Sequence, residues 1–133
     1  EASVAGGDWA GSLEYKSYER FAFPYAEPPT LVRTHSSVLL NASTHVLKPS
    51  EEGFQVEVVR SPHPDATTTL NLTGAWSTFF GRTTRFREVY LEHRLDGERA
   101  GLTGFADWAE DTFTGDDARW TGGLSGVWHP GGG

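Results

Sequence analysis

The chain of 133 residues contains no cysteine and no methionine. The absence of cysteine excludes disulfides, cysteine-ligated zinc, iron–sulfur clusters and thiol nucleophiles. Because methionine is absent, Glu1 is not a translation start, and we expect the chain to be processed or trimmed. No segment approaches the roughly 18 apolar residues that a membrane-spanning helix needs. The net charge of −7 argues against nucleic acid or an anionic membrane, so we predict neither as a partner.

Aromatic residues are abundant by contrast, at 13% of the chain, with five Trp, eight Phe and four Tyr. Apolar and polar residues alternate with a period of two in the segments that start at Trp9, Phe54 and Phe86, which is typical of half-buried strands. Turn residues separate these segments, and their spacing predicts about seven or eight strands of roughly 7 to 12 residues. We predict one domain over residues 1–130, followed by a glycine tail at 131–133.

Glycines recur inside the strand patterns near the C-terminus. Glycines in strands often mark the bulges or bends at which a sheet closes on itself, and closure removes exposed sheet edges. We therefore predict an all-β fold, a single antiparallel β-barrel of about eight strands. The glycines on which this prediction depends are Gly101, Gly104, Gly122, Gly123 and Gly126.

Three segments resemble a family of small bacterial proteins that is known only as a domain of unknown function. The run from Gly11 to Tyr18, followed by the run from Pro29 to His35, resembles the opening of that family. The run from Gly115 to Gly126 resembles its glycine-rich closing signature. The same closing signature is similar to that of the allene-oxide-cyclase-like barrels, which include allene oxide cyclases, dirigent proteins and cyclase barrels of the spirotetronate type.

This resemblance implies an eight-stranded, calycin-like barrel with a lumen that is open at one end. It also implies natural-product chemistry, such as a cyclisation or a Diels–Alder reaction on a polyketide. Such chemistry needs no cofactor, because holding the substrate in a reactive conformation supplies most of the rate gain. The fold alone does not determine the reaction.

Candidate acid, base and hydrogen-bonding groups come mainly from one alternating segment. Phe86, Glu88, Tyr90 and Glu92 share one face of this predicted strand, and Arg87, Val89, Leu91 and His93 share the other. A shift of one residue in register exchanges the two faces, so either set could face the lumen. The predicted catalytic residues are Glu88, Tyr90, His35 and Arg87.

The aromatic residues have two interpretations. They could fill the barrel as a solid core, but each buried indole N–H would then need a partner. We therefore favour a cavity that holds an apolar ligand. The residues predicted to line it are Trp9, Tyr15, Trp76, His93, Trp108 and Trp120.

No histidine spacing indicates a metal site, and the acidic run after Asp107 lacks the ligand order of a calcium loop. We therefore expect neither a metal nor a cofactor. The sequence predicts a cofactor-independent cyclase or isomerase that shapes an apolar polyene or polyketide in the lumen. The alternative is a non-catalytic, lipocalin-like protein that binds a small apolar molecule. We expect a bacterial cytoplasmic location, with secretion left open, and we include a homodimer among the expected assemblies.

Overall fold

The computed structural model describes residues 2–18, 51–79, 81–112 and 115–130, so the candidate residue His35 lies outside the described residues. These residues form an all-β fold, as predicted. Seven strands make one sheet, in which each strand pairs antiparallel with the next one along the chain. The strands are β1 (Ala2–Gly6), β2 (Trp9–Tyr18), β3 (Glu51–His63), β4 (Ala66–Phe79), β5 (Arg82–Asp96), β6 (Ala100–Asp111) and β7 (Asp116–Trp128).

The sheet is open in the part of the chain that the structure describes. Strands β1 and β7 are its two edges, and strands contact only their neighbours in sequence. Strands β2 and β6, with 10 and 12 residues, have the length that the sequence pattern predicts. Strands β3, β4, β5 and β7 are longer, with 13 to 15 residues. Within the described residues, no helix is long and apolar enough to cross a membrane.

Three short turns lie at one end of the sheet: Gly7–Asp8, Pro64–Asp65 and residues 97–99. Gly7 has a φ of 58°, a left-handed conformation that glycine adopts without a steric penalty and that two-residue hairpin turns require.

Strand pairing is regular at the C-terminal glycines. Register shifts occur between Arg60 and His63 and between Ala109 and Asp111. Pairing from Ala100 to Ala109 with β7 is continuous, so the expectation that the glycines of this region mark bulges is wrong. Some of these glycines instead make room for a neighbouring ring, as at Gly123, where a Cβ would overlap the side chain of Phe105.

The ten buried side chains of the described residues lie on one face of the sheet, which we call the polar face. Six of them are polar or charged and four are apolar or aromatic. Because side chains alternate between faces along a strand and the strand register is continuous here, all ten project to the same side. They are Thr69, Asn71, Thr73, Ala75, Phe86, Glu88, Tyr90, Asp107, Ala109 and Asp111.

The opposite face, the apolar face, carries most of the large hydrophobic residues, and many of them are exposed. Exposure reaches 78% at Trp120 and 75% at Val4. This distribution is the reverse of the usual arrangement, in which the face that water reaches is polar and the buried face is apolar. The members discussed below are Trp9, Leu13, Tyr15, Phe54, Val56, Val58, Leu70, Leu72, Trp76, Val89, Leu91, Leu102, Ala106, Trp108, Trp120, Leu124 and Trp128.

Candidate functional site

Asn71 lies at the centre of the polar face. It is fully buried and pairs in register with Tyr90, which pairs with Asp107 on the next strand. The hydroxyl of Thr73 donates to Asn71 Oδ1 at 3.1 Å, and Asn71 Nδ2 donates to Glu57 Oε2 at 3.4 Å. A buried amide is expensive unless its polar atoms are paired, and these bonds supply partners from two strands.

Tyr90, which is in register with Asn71, contacts residues of β5 and β6. Its hydroxyl donates to Glu92 Oε2 at 2.6 Å, a short distance that is typical of a bond to an ionised acceptor. Its ring is stacked on that of Phe105, with 6.1 Å between centroids and 27° between planes. Tyr90 is thus held at both its ring and its hydroxyl.

Acidic residues are concentrated among the buried side chains of this face. Glu88, Asp107 and Asp111 are each at most 2% exposed, and each has an interaction partner. Moving a carboxylate from water into an apolar medium costs several kcal/mol or more. A face with three buried carboxyl groups is therefore a polar environment and not an apolar core.

The middle of the apolar face is an aliphatic band. Leu70 is in register with Val58 and Leu91, and Leu72 with Val56 and Val89. Valine, leucine and alanine occupy successive positions on several strands, and none of these positions carries a charge. We define the aliphatic band by Leu13, Val56, Val58, Leu70, Leu72, Val89, Leu91, Leu102, Ala106 and Leu124.

Aromatic residues mark one boundary of the band, which we call the Trp76 edge. Tyr15 donates its hydroxyl proton to Glu52 Oε1 at 2.6 Å, and Trp76 Nε1 donates to Glu52 Oε2 at 3.1 Å. One carboxylate therefore holds two rings from non-adjacent strands, with their polar atoms directed away from the band. Trp108 and Trp120, which are in register with each other, continue this edge across β6 and β7.

A second set of amphipathic residues marks the other boundary, the Trp9 edge. The guanidinium of Arg60 lies over the ring of Trp9, 5.2 Å from its centroid, within the range of a cation–π contact. Thr68 Oγ1 and His93 Nδ1 are 2.9 Å apart in the same row. Trp128 lies at the corresponding end of β7. All five tryptophans of the chain therefore lie at the boundaries of the aliphatic band.

The two edges are roughly parallel and oblique to the strands. Trp76 is in register with Arg85, whereas Trp108 is in register with Val89, four residues further along β5. The Trp9 edge descends in the same direction, from the row of His93 to Trp128, which is in register with Ala100. The strands are therefore tilted relative to the band, as they are relative to the axis of a barrel.

Two arginines border a groove at the Trp76 edge. Arg85 Nη2 lies 2.6 Å from Glu110 Oε1, and Arg87 Nη1 lies 3.7 Å from Glu110 Oε2. The groove beside them has a volume of about 400 Å³. Besides the two arginines, its lining comprises Phe54, Leu72, Thr73, Gly74, Trp76, Phe86, Glu88, Val89 and Trp108.

The structure separates the residues that the sequence predicted for a single lumen. Glu88 and Tyr90 are on the polar face, which decides the register left open above. Arg87 and all the predicted ligand-lining residues, namely Trp9, Tyr15, Trp76, His93, Trp108 and Trp120, are on the apolar face. The groove at the Trp76 edge nevertheless brings Glu88 together with Arg87, Trp76 and Trp108 in its lining, whereas Tyr90 is not part of that lining.

Sequence reasoning missed the polar residues that hold the polar face together, Asn71 and Thr73. Their signal was present, because both alternate with Leu70 and Leu72 in β4. It went unused because an alternating strand is normally interpreted with its leucines inside.

Within the described ranges, no three His, Asp or Glu side chains are grouped so as to hold a metal ion. No protein-family model, curated protein or solved structure matches the chain. The function is therefore inferred from the two faces of the sheet alone.

Proposed function

We propose that this sheet is part of the wall of a membrane-spanning β-barrel. In this proposal the aliphatic band faces lipid, and the polar face forms the interior of the barrel, where its buried polar side chains contact one another. The observation that carries the proposal is the inverted polarity: Glu88 and Asp107 are buried, whereas Leu13 and Trp120 are exposed.

The energetics of the two faces support this assignment. Only four apolar or aromatic side chains are buried among the described residues. Exposed apolar surface is unfavourable in water by roughly 25 cal/mol per Å², and so extensive an apolar face is rare on a soluble monomer. Lipid removes this cost, since hydrocarbon chains solvate leucine and valine.

The lengths of the strands also support it. A tilted transmembrane β-strand needs about 9–11 residues, and strands β2 to β7 have 10 to 15. Aromatic residues lie towards both ends of two of them, with Trp9 and Tyr15 on β2 and Trp120 and Trp128 on β7. Transmembrane barrels carry an apolar band that is flanked by aromatic residues at both interfaces.

A barrel in a membrane must leave no backbone group unpaired, since lipid offers no hydrogen bonds. Among the described residues, the outer edges of β1 and β7 have no strand neighbour. Closure of the sheet would pair these edges. Closure would also complete the barrel that the sequence predicts, and we include it in the proposal.

The proposal differs from the function predicted from the sequence. A cyclase, an isomerase or a lipocalin-like carrier stays a prediction. Each requires the rings and the predicted acid–base groups around one ligand, whereas here Tyr90 projects to the face opposite the tryptophans. The prediction of no membrane partner was based on the net charge and on the lack of long apolar segments. Neither quantity describes how polar and apolar side chains are distributed between the two faces of a strand.

Tryptophan fluorescence tests the proposal directly, because all five tryptophans lie at the boundaries of the band. The full chain is refolded into phosphatidylcholine vesicles whose acyl chains carry bromine either near the headgroup or near the terminal methyl. We expect quenching in both cases, and stronger quenching by bromine near the headgroup. Absence of quenching, with the chain folded and monomeric in buffer, would overturn the proposal.

A further inference from the structure

We propose that the groove at the Trp76 edge binds one acyl chain of an anionic phospholipid, with Arg85 and Arg87 contacting its phosphate. This inference rests on the proposed function, because it places the groove at the lipid interface. It adds a specific ligand class and a site for that ligand on the lipid-facing side.

Gly74 and the rings around it form the apolar part of the site. Gly74 is in register with Phe54 on one side and with Arg87 on the other. The ring of Phe54 fills the space beside Gly74, since a Cβ there would lie 2.9 Å from Phe54 Cε1. The rings of Phe54, Trp76 and Trp108 line a hollow of about 400 Å³, a volume within the usual range of ligand sites, ~300–1,000 Å³.

The charged part of the site lies at the outer end of the hollow. The side chains of Arg85 and Arg87 are 47% and 54% exposed. Among the described carboxylates, Glu110 is the one that forms ion pairs with both. Each guanidinium has five N–H donors, so the contacts with Glu110 leave donors for a phosphate.

The position of the pair favours a lipid over a free anion. The arginines lie beside an apolar hollow at the boundary of the aliphatic band, where a headgroup lies in a bilayer. A ligand with both a phosphate and a hydrocarbon chain matches both parts of the site, whereas inorganic phosphate matches only one.

Native mass spectrometry of the full chain in a neutral detergent tests this assignment, with phosphatidylglycerol, phosphatidylcholine and inorganic phosphate as the probes. We expect one phosphatidylglycerol to be retained about tenfold more strongly than phosphatidylcholine, because charge-assisted bonds to phosphate are the strong ones. The double variant Arg85→Gln/Arg87→Gln should abolish this preference. Arg60→Gln, at the Trp9 edge, is the matched control and should preserve it.

A second variant tests the hollow separately. Val89→Trp adds a ring to the lining without altering either arginine, and we expect it to weaken phosphatidylglycerol retention several-fold. Equal retention of the two lipids, an unchanged preference in the double arginine variant, or displacement by millimolar inorganic phosphate would each overturn the inference.

The two proposals fail in different ways. Bromolipid quenching in pure phosphatidylcholine vesicles depends on the aliphatic band and is independent of the arginines. If that quenching occurs and the phosphatidylglycerol preference is absent, the lipid site is wrong and the membrane assignment stands. If the quenching is absent, the membrane assignment itself is wrong.

Discussion

Glu88 and Val89 are adjacent in β5, yet the charged side chain is 1% exposed and the apolar one is 41% exposed. The same inversion holds on the neighbouring strands, because Glu88 is in register with Thr73 and Ala109, and Val89 with Leu72 and Trp108. A property shared by three strands belongs to the sheet as a whole. The effect of a substitution can therefore be predicted from the face on which the residue lies and from its distance to the centre of the aliphatic band.

A charge placed in the aliphatic band should be costly in a membrane. Leu13→Arg lies near the middle of the band on β2, and we expect it to destabilise the chain in vesicles by ~2–4 kcal/mol. Urea unfolding of vesicle-embedded protein measures the change. If the apolar face were instead exposed to water, the same substitution would change stability by about 0.5 kcal/mol or less.

Ser17→Arg is the control for position. It lies on the same strand and face, beyond the Trp76 edge and in register with Glu52. Its expected cost is ~0–1 kcal/mol, as for charges near a membrane interface. Equal costs at the two positions would contradict a depth-dependent environment.

Asn71→Leu should destabilise the sheet by about 1–3 kcal/mol, because it leaves Glu57 and Thr73 without their bonds to this amide. Thr73→Val removes one of the same bonds. The double variant should therefore lose less than the sum of the two single losses. Chemical denaturation of the four proteins gives the coupling, and strict additivity would show that the Thr73–Asn71 bond contributes nothing.

Tyr90→Phe should cost about 1–2 kcal/mol, because it removes a partly buried hydrogen bond to a carboxylate while retaining the ring. The control is Tyr15→Phe, which removes a bond of the same length to Glu52 at an exposed position. Its effect on the unfolding midpoint should be clearly smaller. A larger effect at Tyr15 would indicate that the apolar face is the buried one.

Gly74→Ala should destabilise by about 1–3 kcal/mol through overpacking, since its Cβ would lie 2.9 Å from the ring of Phe54. The accompanying variant Phe54→Leu should recover most of the loss. Gly11→Ala serves as the control, because the nearest atom to its Cβ would be 3.5 Å away. Similar losses at both glycines would show that the ring of Phe54 is not the cause.

Alternation in the sequence was enough to predict which side chains share a face. Phe86, Glu88 and Tyr90 were placed together, and so were Arg87 and His93, as in the structure. Alternation is a purely local consequence of strand geometry, so it is visible without knowledge of the fold. Register between strands could not be predicted in the same way, because it depends on turn geometry and on pairs distant in sequence.

The inside and the outside of the sheet could not be assigned for the tryptophans from the sequence, for a physical reason. Placing Trp76 and Trp108 in a lumen assumes that the surrounding solvent is water. Alternation is symmetric with respect to the two faces, and the solvent decides which face is buried. The relevant signal was the order along each strand, with aliphatic residues in the middle and tryptophan near the ends, as between Trp120 and Trp128.

The strand count has a consequence for how the sheet can close. In an antiparallel meander every second strand points the same way, so β1 and β7, the first and seventh, are co-directional. A direct β1–β7 seam would have to be parallel, and β1 offers only five residues for it. An antiparallel seam needs an odd number of further strands, and one more would give the eight of the smallest known membrane barrels. Parity thus defines two alternative seams, which cross-links between paired edge positions would distinguish.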